Sequence, residues 1–296
     1  MRPPAPFTAR PATPADAAGI AAVATACEAA FSPEPLRFGE REIELEQRRA
    51  TAAVVVDDEE GRVVAYGRAL RRGDTLDAEA AVLPAFTGRG IGAFLVGWAE
   101  ATGGDLGARA LRLAALARDD AARELLEERG LSYVRSFYRM MIDLDEPPPA
   151  PAWPDGVTVD RLRAGEERVL HEAIEDSFAE HWGHAPRDFD EWLRSVELEP
   201  ELTFLAREGD EVAGVSVCHR ELYGTALVGI LGVRKPWRGR GLGRALLRHS
   251  FRALYGAGKR RIGLGVDAGN ETGAVALYES VGMWIAGQDD VYEKRL

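Results

Sequence analysis

The chain has 296 residues, of which 46% are hydrophobic and 29% are charged, and its formal net charge is -11 at pH 7. This length and composition favour two ordinary globular domains. The acidic balance argues against a nucleic-acid partner, and the absence of any apolar run of about 18 residues argues against a membrane partner. The two cysteines, Cys27 and Cys218, show no paired spacing, which predicts free thiols and a cytoplasmic location.

The first half of the chain opens with an alanine-rich segment, Ala17 to Ala30, which follows two arginines and several prolines. Because Asp16 and Glu28 bracket this segment, a first amphipathic helix is favoured over a signal peptide. The sequences AVVVDD, VVAYGRAL and FYRMMIDL then predict strands. Between the second and third of these strands, LPAFTGRGIGAFLV (83–96) places three glycines where a helix begins.

The sequence then repeats itself after one linker. DEPPPAPAWPDG (145–156) contains five prolines, which predicts an extended spacer. Landmarks on its two sides recur at an offset of 151 or 152 residues. The pairs are Arg10 and Arg161, Gly92 and Gly243, and Gly130 and Gly282. Duplication of one domain is therefore predicted, with domains at 1–144 and 157–296.

The second half alternates strands and helices, which predicts the mixed α/β class. The predicted strands lie near 157–162, 203–207, 212–219, 226–233, 261–266 and 291–295, and the predicted helices near 169–178 and 242–255. We also expect Asn270 to cap a short helix that ends at Gly282.

The stretch RKPWRGRGLGRALL (234–247) is typical of an anion site. Residues 234–252 include seven arginines and lysines and no acid. A glycine-rich turn that opens a helix directs backbone N–H groups at one point, and the helix dipole favours negative charge there. Phosphate is therefore the expected guest. A nicotinamide-binding protein is one alternative, with Asp267 as the ribose ligand, but the third glycine stands one place early for GxGxxG.

The run Arg238-Gly239-Arg240-Gly241-Leu242-Gly243 resembles motif A of the GNAT superfamily of N-acetyltransferases, Gln/Arg-x-x-Gly-x-Gly/Ala. NETGAVALYESVGM (270–283) resembles the second cofactor segment of that family. The tandem arrangement is similar to that of mycothiol synthase and its relatives. The resemblance implies two tandem GNAT-like domains, each a mixed, mainly antiparallel sheet flanked by helices.

The resemblance also implies acetyl-CoA as co-substrate and assigns its binding residues, with no metal. The cofactor-binding residues are Leu231, Val233, Arg238, Gly239, Arg240, Gly241, Leu242, Gly243, Arg244 and Asn270. Leu231 and Val233 would offer main-chain groups to the acyl-pantetheine arm, and the loop would wrap the pyrophosphate. Tyr278 would be the general acid for the departing thiolate.

The general base is open at this point. Leu227 stands about where relatives carry a strand glutamate. Glu221 is the tentative base, and His181 and His184 are further candidates. A base acting through water and an amine that arrives already neutral are the alternatives.

The first copy is weaker. Thr87 replaces the leading arginine of the motif, and Leu126 stands where the second copy has Tyr278. We therefore expect the first domain to be degenerate and the second domain to be catalytic.

The predicted function is transfer of acetyl from acetyl-CoA to a primary amine of a small molecule, by direct transfer. A non-catalytic acyl-CoA-binding protein is the alternative. The protein is expected as a monomer with pseudo-dimeric domains or as a homodimer.

Overall fold

The computed structural model describes residues 2–270 and 272–296. The chain divides into two compact units. Unit 1 runs from the N-terminus through Tyr138 and also contains Asp267–Gly269 and Ala286–Leu296, whereas unit 2 contains Arg139–Val266 and Asn270–Ile285. Among the helices of the described residues, none has the length and apolar character needed to cross a membrane.

Unit 1 is a sheet with helices on both faces. Its helices are α1 (Ala17–Phe31), α2 (Glu40–Arg49), α3 (Ile91–Asp105) and α4 (Asp120–Glu128). Its strands are β1 (Thr8–Pro11), β2 (Ala52–Asp57), β3 (Val63–Arg72), β4 (Thr75–Val82), β5 (Ala110–Leu116), the first part of β6 (Ser132–Asp143) and most of β12 (Trp284–Arg295). The order is β1-β2-β3-β4-β5-β12-β6. Strands β4 and β5 are parallel, and β1 to β4 form antiparallel pairs.

Alternation along β2 explains the two faces of unit 1. Val55 packs against α1 and α2, whereas Val54 and Val56 pack against Ile91 and Leu95 of α3. Because successive side chains of a strand point to opposite faces, one apolar strand supplies two cores.

Unit 2 repeats this plan. Its helices are α5 (Glu167–Phe178), α6 (Phe189–Ser195), α7 (Leu242–Gly256) and α8 (Ala274–Glu279). Its strands are β7 (Val157–Arg161), β8 (Thr203–Glu208), β9 (Glu211–Leu222), β10 (Thr225–Val233), most of β11 (Arg261–Asp267) and the second part of β6. The order is β6-β11-β10-β9-β8-β7, with β10 and β11 parallel and β7 to β10 antiparallel.

The predicted fold class is confirmed, because each unit is a mixed, mainly antiparallel sheet between helices. The predicted first helix is α1. Two helices were not predicted. In α2 the apolar residues are Ile43 and Leu45, and their spacing of two is the period of a strand. Helix α6 has 7 residues, too few to show a helical period.

The boundaries of the two sequence copies remain predictions. The last strand, β12, belongs mostly to unit 1 in the structure, because its residues Asp289 to Arg295 pair with Leu116 to Ala110 of β5. The repeat in the sequence assigns that strand to the second copy.

Candidate active site

Two parallel strands of unit 2 diverge at the centre of its sheet. Strand β10 pairs with β11 at Ala226 and Leu227, opposite Ile262 and Gly263. Over the described residues, the rest of β10 up to Val233 pairs with β9 alone. An unpaired strand edge presents N–H and C=O groups to which an extended ligand can add its own hydrogen bonds.

Strand β10 carries a bulge between Val228 and Ile230. A bulge leaves one residue, here Gly229, out of the ladder and changes the direction of the strand. Leu231 and Val233, the residues that the resemblance assigns to the acyl-pantetheine arm, follow the bulge. The structure therefore places both of them in the divergent part of β10.

His219 of β9 lies against this bulge. It pairs with Leu227, the residue at which β10 and β11 part. A Cβ on Gly229 would lie 3.1 Å from Cδ2 and Nε2 of the His219 ring, so glycine leaves the room that the ring uses. Sequence reasoning missed His219, because its position depends on the register of two strands and no local motif carries that register.

The glycine loop gives α7 an open N-terminus. Gly239 and Gly241 have φ values of 76° and 83°, which glycine adopts without steric cost. The first helical bond runs from Ala245 N–H to Gly241 C=O. Within the described part of the chain, the six N–H groups of residues 239–244 have no protein acceptor. Together with the helix dipole they form a site for a strong anion.

Arg238, the leading residue of the motif, is turned toward α5. Its Nε donates to the Val233 carbonyl at 3.1 Å, its Nη2 to the Ser177 carbonyl at 3.0 Å, and its Nη1 to Glu180 at 2.7 Å. Lys235 Nζ donates to the other oxygen of Glu180 at 2.6 Å. These two cations, Lys235 first, lower the pKa of the Glu180 carboxyl. The Arg238 side chain thus braces the loop against α5.

Arg240 and Arg234 are also paired with acids. Arg240 donates to both oxygens of Glu208, at 2.5 and 3.2 Å, and Trp237 Nε1 donates to the same carboxylate at 2.8 Å. These bonds, that of Arg240 first, lower the pKa of Glu208 to about 2. Arg234 donates to Asp176 at 2.5 Å. Acids from other elements therefore neutralise much of the positive charge that the local sequence shows.

Arg244 lies next to the free N–H groups, and its positive charge is not neutralised by an ion pair in the described residues. It is the third residue of α7, and its Nη2 donates to Ser280 Oγ at 3.1 Å. No acid pairs with it among the described residues. A Cβ on Gly243 would lie 3.4 Å from Leu277, so this glycine lets α7 approach α8 closely.

Tyr278 on α8 is 7% exposed. Burial raises the pKa of its phenol to about 12. In the part of the chain that the structure describes, its hydroxyl has no protein hydrogen-bond partner. A phenol that stays protonated and has no protein acceptor is free to donate to a ligand, as a general acid must.

Asn270 caps a turn and not helix α8. Its Oδ1 accepts from Thr272 N–H at 2.8 Å and from Thr272 Oγ1 at 2.5 Å. The N-cap of α8 is Gly273. The predicted helix cap is therefore wrong, because the short side chain of Asn270 satisfies the N–H group two residues on. Its assignment to the pantetheine arm stays a prediction.

The candidate bases lie in different settings. Glu221 is exposed, and its carboxylate accepts from Lys259 Nζ at 2.8 Å, which lowers the pKa of that carboxyl. A lower pKa makes a weaker base at neutral pH, so these contacts do not favour Glu221. His184 Nε2 lies 3.2 Å from Glu175, and the His181 ring packs against the phenylalanine that ends α5.

The glycine loop of unit 1 has the same backbone conformation as that of unit 2 but different neighbouring side chains. Gly88 and Gly90 have φ values of 73° and 81°, like their counterparts in unit 2. A Cβ on Gly90 would lie 3.2 Å from Pro4 Cγ, so the N-terminal segment lies beside this loop. The Arg89 guanidinium stacks over the Phe86 ring at 5.0 Å.

Two polar side chains of unit 2 have apolar counterparts in unit 1. Ala65 pairs with Val82 as Gly214 pairs with Val233, so the counterpart of His219, counted along β3 and β9 from these pairs, is Leu70. Leu126, buried in the core, stands at the position of the catalytic tyrosine predicted for the second half.

A sequence model of the acetyltransferase (GNAT) family matches residues 22–131 and 168–283. The chain belongs to the GNAT family. The match falls once in each half, which confirms the predicted tandem GNAT-like fold and, with the relatives below, an acyl-CoA-dependent N-acetyltransferase. The non-catalytic alternative loses its support. So does the nicotinamide alternative, since Arg135 engages both oxygens of Asp267, at 2.7 and 2.8 Å.

Curated relatives are named mycothiol acetyltransferases. The one from Thermobispora bispora is 30% identical over 300 residues, which cover 95% of this chain and 97% of that protein. The one from Catenulispora acidiphila is 33% identical over 186 residues, and that match spans 58% of each chain.

A solved structure shares the fold over nearly the whole chain. It is a GCN5-related N-acetyltransferase from Sphaerobacter thermophilus, with a TM-score of 0.82 and 35% identity. The match covers 99% of this chain and 96% of that one. Enzymes of this family use acetyl-CoA in general.

Proposed function

We propose that residues 157–296 transfer the acetyl group of acetyl-CoA directly to a primary amine of a small molecule. The proposal is supported by three structural features that occur together in unit 2. A divergent strand edge, a loop of six free N–H groups and a buried phenol occur in one set of neighbouring elements.

The loop fits the pyrophosphate of acetyl-CoA. Its six free N–H groups, at residues 239–244, converge at the positive end of the α7 dipole. Arg244 adds a guanidinium that donates to Ser280 Oγ and that no acid neutralises among the described residues. Arg238 contributes indirectly, because its bonds to Glu180 and to the Val233 and Ser177 carbonyls hold the loop against α5, whereas Glu208 neutralises Arg240.

The edge of β10 suits the acyl-pantetheine arm. The backbone beyond Gly229 lacks a partner on the β11 side over the described residues, so its groups are available to amides of the arm. An N–H group aimed at the thioester carbonyl would stabilise the oxyanion that forms when an amine attacks. Leu231 and Val233 are the residues that we assign to this strand contact.

Tyr278 completes the chemistry as proton donor. The amine nitrogen forms a bond to the acetyl carbon and gives up one proton to solvent, the carbon–sulfur bond breaks, and the leaving thiolate takes the phenol proton. Burial keeps that proton on the oxygen throughout the physiological range. Solvent then restores the proton to the phenolate.

Unit 1 is catalytically silent in this proposal. Its loop lies beside Pro4, its arginine stacks on Phe86, and a buried leucine replaces the tyrosine. We therefore expect one acetyl-CoA per chain.

The acceptor is a small amine. The relatives named mycothiol acetyltransferases make a mycothiol precursor the first acceptor to assay. The net charge of -11 favours the approach of a cationic amine over that of an anion.

A matched pair of glycine substitutions tests where acetyl-CoA binds. Gly241 and Gly90 are the N-caps of α7 and α3 with φ values of 83° and 81°, so alanine strains the backbone alike at both sites, and at Gly90 it also presses on Pro4 at 3.2 Å. We expect titration calorimetry to find one acetyl-CoA site in the wild type. Gly241→Ala should weaken that site about tenfold or more, since a strained cap misdirects the N–H groups.

Gly90→Ala is the control and should leave stoichiometry and affinity unchanged. Thermal unfolding of Gly90→Ala should show a loss of stability at least as large as that of Gly241→Ala, because its Cβ also meets Pro4. A second site that Gly90→Ala removes would contradict the silent first half. No binding by the wild type would contradict the proposed function itself.

A further inference from the structure

His219 lies at the point where β10 and β11 separate. Its partner Leu227 is the last residue of β10 with a described partner on β11. Its ring also lies against Gly229, the residue that the bulge takes out of the ladder. Two independent features of the backbone therefore meet at this imidazole.

The ring is on the α5 face of the sheet. Val215 and Val217 of β9 pack in the cluster that contains Leu170 and Ile174 of α5. Because every second side chain of a strand points to the same face, His219 continues this row. The alternate residue Ser216 bonds to Ser250 of α7 on the opposite face, at 2.8 Å between the hydroxyl oxygens.

This placement separates the imidazole from the anion loop. The free N–H groups belong to the start of α7, on the other face of the sheet. An acyl chain that runs from the loop along β10 reaches the bulge from the α7 side. A second reactant can then approach from the α5 side, where His219 lies partly exposed.

We infer that His219 is the base that accepts a proton from the acceptor amine, an inference that rests on the proposed function. An imidazole near neutral pH is the side chain best suited to this step. Glycine at 229 leaves the ring in this position, because a Cβ there would lie 3.1 Å from it and would displace it.

The proton balance of the step is complete. The acceptor arrives as an ammonium ion, His219 takes one proton, and the free lone pair attacks the thioester carbon. As the carbon–sulfur bond breaks, Tyr278 protonates the thiolate, the nitrogen loses a second proton through solvent to the Tyr278 phenolate, and His219 passes its proton to water. The net products are the amide, the free thiol of CoA and one proton released to water.

The other candidate is less well placed than His219 to accept a proton, and unit 1 has no equivalent imidazole at this position. Glu221, two residues further along β9, is held by Lys259. In unit 1 the counterpart of His219 by strand register is Leu70, whose side chain cannot accept a proton. The basic imidazole therefore occurs in the half that also has the open loop and the tyrosine.

Two small amines of nearly equal size test this inference. At pH 7 methylamine is an ammonium ion and must lose a proton, whereas hydroxylamine is already neutral. Product formation from acetyl-CoA is followed by mass spectrometry for the wild type and for His219→Gln. We expect the rate with methylamine to fall about 100-fold or more and the rate with hydroxylamine to change by less than about threefold.

Three further variants separate a role of His219 from other causes of a lower rate. Arg220→Gln, on the neighbouring exposed residue of β9, controls for any change in this strand and should leave both rates unchanged. Glu221→Gln tests the rival, and a selective loss with methylamine there would transfer the role to Glu221. In His219→Ala, added imidazole should restore part of the methylamine rate.

Equal losses with both amines in His219→Gln would overturn the inference, as would an unchanged methylamine rate. Acetyl-CoA titration separates this failure from failure of the proposed function. Retained binding with equal losses counts against His219 alone, whereas absent binding in the wild type counts against the catalytic site as a whole.

Discussion

Burial suits Tyr278 to the proton-donor role that we propose for it. An exposed tyrosine has a pKa of about 10, whereas the buried phenol of Tyr278 has a pKa raised to about 12 by desolvation alone. The proton is thus never lost in the physiological range, and the neutral hydroxyl lacks a protein partner in the described residues. The sequence spacing identifies this tyrosine, but its environment comes from the packing of α8.

We predict that Tyr278→Phe lowers kcat about 10- to 100-fold, because the thiolate must then leave without a proton donor. Acetyl-CoA affinity should stay within about twofold, since the ring and its packing remain. With a pKa near 12, the ratio of wild-type to variant kcat should be constant from pH 7 to 10. Tyr255→Phe on α7 is the matched control, and an unchanged kcat in Tyr278→Phe would exclude the proton-donor role.

The glycine loop and its neighbours form the critical element. Helix α5, the turn after it and strand β8 provide Asp176, Glu180 and Glu208, which pair with the cations of the loop. Most of the arginines and lysines in the loop therefore form ion pairs within the protein, so their number overstates the attraction of the loop for an anion. What remains for the anion is mainly the set of free N–H groups and Arg244.

Glu208→Gln tests this view of the element. The change removes a negative charge beside the loop and releases Arg240, while the glutamine oxygen can still accept from Trp237. We expect acetyl-CoA to bind about threefold tighter at low salt and less so at high salt, because the added attraction is screened. Asp160→Asn removes the same charge from β7 and should have little effect. Weaker binding in Glu208→Gln would mean that the ion pair orients Arg240 for the ligand.

At the scale of the whole molecule, the thiols of Cys27 and Cys218 link stability to alkaline pH. Both are free and buried, and burial is the main cause that raises each pKa from 9.0 to about 11. A raised pKa in the folded state favours the protonated form. Its contribution to stability is therefore complete below pH 9 and is lost as the pH rises toward 11.

We predict that the free energy of unfolding in urea falls between pH 8 and pH 10, with each thiol contributing about 1 kcal/mol to the decline. Replacing both cysteines by alanine should lower stability at pH 8 and make the decline shallower by about 2 kcal/mol. An equal decline in the wild type and in the double variant would show that other groups cause it.

Much of the architecture follows from local pattern. Apolar alternation and glycine turns predicted most strands of unit 2 and the helices α1, α5 and α7 close to their observed bounds. Helix α2 was not predicted because its apolar residues have the spacing of a strand. The predicted helix cap at Asn270 was wrong because the Asn270 side chain accepts from Thr272 N–H within a turn.

The duplication, the two glycine loops and the family can be recognised from residues that are close together in the chain. The ion pairs that neutralise the loop, the contact of His219 with Gly229 and the pairing of β12 are visible only in the folded chain, because they join residues far apart in sequence. Arg238 and Glu180 are 58 residues apart in sequence, and β12 and β5 are separated by more than half the chain. Such contacts depend on how strands align and helices pack, which no local run of residues records.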